Sequence, residues 1–510
     1  MSDDNYPDTT TRWFITFSVM AATIMNALDS TIANVALPHI QGSVSASQDE
    51  ITWVLTSYIV SAAIFTPLSG WLAGRFGRKR LMLVSVVGFT AASALCGIAT
   101  GLDELVLFRI LQGMFGAALV PMSQAILLDI NPPERHGPAM AIWGMGAVLG
   151  PIIGPALGGW LTDNLSWRWV FYINLPVGVI TFLGISAFLS ETRNKDQPRL
   201  DLFGFALLAL GIGCMQIMLD RGQQQDWFNS TEIWVEAVAA AFFLYLFVVH
   251  ITTAKKPFLE LSLFADRNFV LGSVFGFFLG VLLFSVLALL PPMLEQLMGY
   301  PVVLTGLVTA PRGVGTMISM VLVGQLIRRF DVRVLIFSGL VLCGISMHMM
   351  AGFSLGMDDK LVIISGFIQG LGTGLIFVPL STIAFATLDQ RLRNEGAAMF
   401  TLIRNMGSAI GISVLQAMTI RNASSVHSRL IEGIRPDNPV LAWHLPDFDF
   451  DAPSAVAALN AQITRQAAMV SYVDAFWGLF IVTLAMAPMI ILMRPARRAP
   501  DDEDLGLHME

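Results

Sequence analysis

Charge is scarce in this chain: Asp, Glu, Lys and Arg make up 13% of its 510 residues, against 55% for the hydrophobic types. A water-soluble fold of that length needs far more polar surface, so that class is excluded. Cysteine is scarcer still. Cys96, Cys214 and Cys343 all fall inside apolar runs, which excludes a disulfide framework or a metal-ligand spacing and leaves them as small buried hydrophobes. The opening stretch, "MSDDNYPDTTTRW", lacks the basic n-region and small-residue cleavage site of a secretory signal, so the first apolar span is expected to be retained. No phosphate-binding loop is present. The "GRFGRKR" stretch at 74–80 has neither the strand–loop–helix context nor the Lys-Ser/Thr ending of a nucleotide site, so an ion gradient is the expected energy source. No cofactor, metal or nucleic-acid partner is expected.

What the chain does have is apolar length. Runs of about 20 apolar residues, enough to cross a hydrocarbon core, recur from end to end. Fourteen spans are predicted, at 13–36, 51–73, 81–100, 104–128, 138–161, 169–189, 202–219, 233–251, 269–293, 302–326, 333–353, 361–386, 396–420 and 472–493. Placing the N-terminus inside puts 20 of the 30 Lys and Arg residues in cytoplasmic segments and 7 in outer ones. The remaining 3, Arg109, Arg312 and Arg404, lie within spans. That bias predicts a multi-pass membrane protein with both termini in the cytoplasm.

The two halves repeat. "GWLAGRFGRKRL" (70–81) resembles "GQLIRRFDVRVL" (324–335), "ILQGMFGAALVPMS" (110–123) resembles "FIQGLGTGLIFVPLS" (367–381), and "MGAVLGPII" (145–153) resembles "MGSAIGISV" (406–414). The offsets, 254, 257 and 261, are nearly constant. The expected fold is therefore an all-α polytopic one. It has a six-helix bundle in 1–200, two inserted spans with a linker in 201–260, and a second six-helix bundle in 261–510 that carries a long outer loop at 421–471. Parallel repeats of this kind build transporters with a substrate site between the halves.

These stretches resemble the major facilitator superfamily, in its fourteen-span drug:proton antiporter branch (the EmrB/QacA type). "LDSTIANVALP" (28–38) is similar to that branch's first-span motif and "GWLAGRFGRKR" (70–80) to the superfamily loop motif. "LFRILQGMFGA" (107–117) is similar to the fourth-span motif with its Arg, and "GAVLGPIIGPALGG" (146–159) to the antiporter motif of span five. "WRWVFYINLPVG" (167–178) and "APRGVG" (310–315) match further branch signatures. The resemblance implies two rocking bundles and a cytoplasmic gate at the loop motif, with Gly70, Arg75, Gly77, Arg78 and Asp129 as its candidates. Gly74 stands where the motif usually carries an acid, leaving Arg78 and Asp129 to make part of the latch.

Asp29 interrupts the first span. A charge at a bilayer centre costs roughly 3 kcal/mol on insertion scales, and such residues are rare and functional by default. Ser18, Ala22, Asn26, Asp29 and Ala33 share one helix face, a small polar stripe that must meet protein or water rather than lipid. Asp29 lies about 24 Å beyond Trp13 and Arg109 about 8 Å beyond Glu104, so both sit in the outer half of the membrane. If spans one and four adjoin, as the family fold implies, the two pair. Either the pair carries the coupled proton, burial and the cation pulling the acid in opposite directions, or it only pins two helices.

Gly146, Gly150, Gly154 and Gly158 repeat every four residues in span five, a smooth face for close packing, while Pro151 and Pro155 remove backbone donors. That combination reads as a conformational element or as plain small-residue packing. Arg312 and Arg404 fall near the midplane. Each either meets an anionic substrate group or bonds neighbouring carbonyls, and with Asn26 they are the substrate-cavity candidates. The outer loop holds "PDFDFDAPS" (446–454), whose Asp449 and Asp451 are the only hint of a rival class, a membrane glycosyltransferase. The expected function is proton-driven export of lipophilic drugs or weak organic acids, with uptake by symport as the alternative. The branch further implies a place in the bacterial inner membrane, with a periplasmic adaptor protein and an outer-membrane channel as partners; the loop is then either the candidate contact or only a lid.

Overall fold

Hydrocarbon offers a backbone no hydrogen-bond partner, so each apolar run must satisfy its own amides, which a helix does. The computed structural model describes residues 6–192, 200–255, 257–327, 329–435, 443 and 451–493, and among them no strand occurs. Fourteen helices are long and apolar enough to cross a membrane. They are α1 (Thr9–Val44), α2 (Trp53–Phe76), α3 (Arg78–Ile98), α4 (Leu102–Ile130), α5 (Pro133–Asn164), α6 (Trp169–Phe188) and α7 (Leu202–Arg221). The chain continues through α8 (Thr231–Thr253), α9 (Arg267–Leu297), α10 (Val303–Leu326), α11 (Val332–Met350), α12 (Asp359–Ala386), α13 (Gln390–Glu432) and α14 (Pro453–Leu492). With an even number of crossings, α1 begins and α14 ends on one side, here the terminal face.

Local chemistry sets the helix ends. The Asp8 carboxylate accepts the Thr11 amide and starts α1, and Gly77, at φ +94°, makes the sharp turn from α2 into α3. Several helices outrun their apolar cores. The helix in α13 is continuous over Arg393–Glu432 and that in α14 over Pro453–Met486. Residues 421–432, expected as loop, are therefore helical, and so are 453–471, where "AVAALNAQITRQAAMVSYVDAFW" (455–477) is helix-compatible by sequence and extends the final span. Hydropathy registers only the buried section of a helix; its polar continuation is invisible to that measure. Asp449 lies outside the described residues.

The internal repeat is a repeat of contacts. In the first half α1 packs on α5 and α2 on α4; in the second, α9 packs on α13 and α10 on α12. The repeated glycines sit at those crossings. A Cβ on Gly113 would strike the Tyr58 carbonyl of α2, and one on Gly370 the Arg312 carbonyl of α10. Gly407 lies in the same way on Phe277 of α9, while Gly146 abuts Met20 of α1. Without a hydrophobic force between helices in lipid, such backbone-to-backbone approach is what holds the bundle. The inserted α7 packs on α2 and touches α13, and α8 packs on α7.

Gly370→Ala is expected to lower the thermal-unfolding midpoint, at a cost of about 1–3 kcal/mol for overpacking. Gly306→Ala, where nothing lies within 4 Å, should leave the midpoint unchanged or raise it.

Candidate functional site

Asp29 comes to rest inside the first bundle with no exposure at all, and so does Arg109. Its Oδ2 accepts from Arg109 Nη1 at 2.7 Å, and its Oδ1 from Gln112 Nε2 at 2.8 Å and Asn174 Nδ2 at 3.0 Å. Arg109 also donates through Nε to the Val54 carbonyl at 3.0 Å and through Nη1 to Gln112 Oε1 at 2.8 Å. Its guanidinium lies 4.1 Å from the centre of the Tyr58 ring. Ser93 completes the nest, accepting from Asn174 at 3.0 Å and donating to the Phe171 carbonyl at 2.8 Å. α1, α2, α3, α4 and α6 each contribute a side chain. Every bond to Asp29 is donated to it, the pattern of an ionised carboxylate. Arg109 Nη2 and Asn174 Oδ1 are buried and without a partner, so the nest has unused capacity on both sides of the charge.

Sequence reasoning found Asp29, Arg109 and their pairing. It missed Gln112, Asn174, Ser93 and Tyr58. Gln112 lies three residues after Arg109 and so shares its helix face, a signal that was available; Asn174, Ser93 and Tyr58 carry none. The small stripe on α1 is buried as expected, at Ser18, Ala22, Asp29 and Ala33. Asn26, on that stripe, donates to the Tyr58 hydroxyl at 3.1 Å and the Gly116 carbonyl at 3.2 Å, so its amide knits α1 to α2 and α4.

Behind α1 runs the glycine face of α5. Gly150 lies against Ala27 and Leu28, with the Leu28 nitrogen 2.6 Å from where a Cβ would sit. Gly154 abuts Thr31, and Gly158 abuts Ile32. The helix runs unbroken through Pro151 and Pro155. Small-residue packing thus accounts for the glycines, and it places two missing backbone amides in the helix that backs the residues around Asp29.

A second cluster closes the terminal face. Asp129 at the end of α4 is shared by two arginines, Arg78 of its own half and Arg393 of the other, the latter at 2.7 Å. Arg78 Nε also donates to Asn394 Oδ1 at 2.7 Å. A Cβ on Gly70 would fall 2.8 Å from the Cα of Glu395, so only glycine lets α2 meet the start of α13. Glu191 accepts the amides of Lys79 and Arg80 at 3.2 Å each and caps α3 from beside Gly77. Arg75 is exposed and makes no ion pair among the described residues. Deeper in, Trp143 of α5 stacks on Phe377 of α12, ring centres 5.6 Å apart.

In the second half, Arg312 Nη2 donates to the Leu283 carbonyl at 3.1 Å, and the Arg404 guanidinium lies 5.7 Å from the Phe377 ring centre. Neither forms an ion pair among the described residues.

With two repeated helical bundles, a buried ion pair and ion pairs that join the halves, the chain is a membrane transporter and not an enzyme. The major facilitator family model matches residues 19–412. The chain is 37% identical over 470 residues to the multidrug export protein EmrB of Haemophilus influenzae, covering 91% of this chain and 92% of that protein. It is 35% identical over 488 residues to the fatty acid resistance protein FarB of Neisseria gonorrhoeae, covering 94% and 96%. Among solved structures it matches the proton:xylose symporter XylE with a TM-score of 0.60 at 13% identity, covering 96% of this chain and all of that one, a likeness of fold alone. The chain belongs to the major facilitator superfamily, in its EmrB-type drug-export branch.

Asp129→Asn removes the shared charge from both arginines, so the terminal face should open more often. In a chain whose native cysteines are replaced, maleimide labelling of Ala141→Cys, buried between α5 and α10, should accelerate several-fold; an unchanged rate would refute the latch.

Proposed function

We propose that this protein is a proton-driven antiporter of the bacterial inner membrane, with both termini in the cytoplasm, exporting lipophilic drugs or weak organic acids. The observation that carries this reading is the Asp29 nest: one carboxylate, out of reach of water, held by Arg109, Gln112 and Asn174 from two other helices. Protonating it deletes the charge that offsets Arg109 and turns one accepting oxygen into a donor. The Arg109 cation must then find other partners, for which its Nη2 is free. Breaking a buried pair costs several kcal/mol unless the surroundings rearrange, and that energy is what a proton can transmit to α1 and α4.

With the terminal face on the cytoplasmic side, the Arg78–Asp129–Arg393 latch is a cytoplasmic gate in its closed position. Protons then reach Asp29 from outside, where α2 begins and the Val54 carbonyl holds Arg109. Export follows if the loaded proton is released only once the latch has opened inward. The glycine face of α5, lying directly on the turn of α1 before Asp29, gives the first bundle a smooth internal surface along which α1 can shift. The Lys and Arg bias of the loops supports the orientation, and the names of the EmrB and FarB relatives support lipophilic and weakly acidic cargo.

The outer ends of α13 and α14 favour a partner. The helix over Arg393–Glu432 has 40 residues, about 60 Å, roughly twice the hydrocarbon thickness. It runs beside α14, with Asn422 bonded to Asp474 and His427 Nε2 3.0 Å from Asn460 Oδ1. A paired helical post of this kind suits docking of a periplasmic adaptor that leads to an outer-membrane channel.

In proteoliposomes with an imposed pH gradient, Asp29→Asn should cut dye extrusion to background while the protein still expresses and inserts, with a lowered unfolding midpoint, because the amide oxygen still accepts from Arg109 but no longer offsets its charge. Substrate addition should release protons from the parent and none from the variant. Proton uptake together with solute instead identifies symport, and equal extrusion rates overturn the coupling role of Asp29.

A further inference from the structure

The two halves treat buried charge differently. In the first, Arg109 is offset by Asp29. In the second, Arg312 and Arg404 are 8% and 9% exposed and have no acid to answer them. No Asp or Glu occurs in 267–294, 302–326, 361–386 or 396–420, the apolar sections of α9, α10, α12 and α13 that surround them.

The repeat shows how this arose spatially. Gly113 lies on the Tyr58 carbonyl and Gly370 on the Arg312 carbonyl, so Arg312 is the counterpart of Tyr58 at an offset of 254. Gly150 lies on Ala27, and Gly411 on Val281, again 254 residues on. By the same register the counterpart of Asp29 is Leu283, and the Leu283 carbonyl is the group that accepts from Arg312. The second half has kept a cation at the level of the nest and has no carboxylate there.

Arg404 is the less satisfied of the two. Its guanidinium makes no hydrogen bond or ion pair among the described residues, and its Nε is buried without a partner. It lies nine residues, about 13 Å, above Glu395 at the closed latch. Its guanidinium lies beside Phe377, whose ring also stacks with Trp143 of the opposite half. Met320 closes the same corner, beside Gly144 and Phe377. The Arg404 carbonyl abuts Gly280 of α9, and the Leu283 carbonyl that holds Arg312 is three residues further along that helix, so both arginines are anchored to neighbouring turns of α9. An unpaired guanidinium in a low-dielectric interior is costly, and the ligand that relieves it best is a carboxylate, which matches its planar fork.

We propose that Arg404, with Arg312 above it, is the receptor for the carboxylate of an amphipathic anion, whose apolar body lies over Phe377, Trp143 and Met320. The proposal rests on the export reading for its physiological sense but concerns binding alone. It gives the acidic member of the cargo range a specific address at the contact that seals the terminal face, so that loading an anion and holding the two halves together involve the same rings.

Fluorescence anisotropy of pyrenebutyrate and of its uncharged methyl ester on the purified protein, with no gradient present, tests it. The parent should bind the carboxylate more tightly than the ester. Arg404→Gln should weaken carboxylate binding roughly ten-fold or more, the loss expected for a charge-assisted hydrogen bond, and change ester binding less than about two-fold. Arg404→Lys should retain part of the preference, and Arg312→Gln should cost less than Arg404→Gln. Asp29→Asn, the variant that tests coupling, should keep the carboxylate preference in full, so a failure of proton coupling and a failure of this site are read separately. The proposal is overturned if the parent shows no preference for the carboxylate, or if Arg404→Gln weakens both ligands equally, the result expected of an arginine that merely anchors helices. The parent's own ratio decides the matter even if a variant does not fold.

Discussion

A carboxylate and a guanidinium meet 2.7 Å apart where neither water nor lipid headgroup reaches, and the first bundle is arranged around that contact. Neither charge is tolerable there alone. Together they still leave several hydrogen-bonding positions open, and Gln112, Asn174, the Val54 carbonyl and the Tyr58 ring fill most of them, from α4 itself and from two further helices, α2 and α6. The helices of this half therefore cannot slide independently: a shift of α1 against α4 breaks a charged bond, and a shift of α6 removes one of Asp29's donors. Such a nest is rigid while the acid is ionised and has a built-in reason to rearrange when it is not.

The duplicated architecture puts the same backbone contacts to two uses. Glycines at matching positions bring α4 onto α2 and α12 onto α10, so both bundles are cut to one pattern. The side chains hung on that pattern differ. One bundle encloses an offset ion pair; the other encloses cations facing rings and carbonyls. The offset pair and the cations without an acid partner among the described residues are thereby kept on separate bodies.

The latch illustrates how a fold replaces a missing residue. With glycine at position 74, no acid of the loop motif faces the start of α13. Instead Asp129, at the end of α4, takes Arg78 from one side and Arg393 from the other, so a single carboxylate spans both halves. Gly70 permits the approach by having no side chain to hold α13 away. The contact is polar and only partly buried, with side chains 9–16% exposed, so water can reach its partners.

Much of this was legible along the chain. Apolar runs of membrane length imply helices because hydrocarbon satisfies no backbone amide, the loop arginines and lysines carry the orientation signal, and an acid inside the first run marks itself by its cost. The pairing of Asp29 with Arg109 followed from depth alone once their spans were set side by side. The partners beyond that pair did not. Gln112, Asn174 and Ser93 are ordinary polar residues whose meaning comes only from which helices lie next to one another, and no periodicity reports that. The helical extension of α13 was hidden for a different reason: hydropathy measures contact with lipid, and those polar turns do not register. Sequence by itself determined the number and the repeat of the spans, because span length depends on local transfer energy and the repeat is written in matching residues. Only the tertiary structure decided which buried charges are answered and which are left waiting, because neutralisation in a dry interior depends on the few ångströms between side chains on different helices.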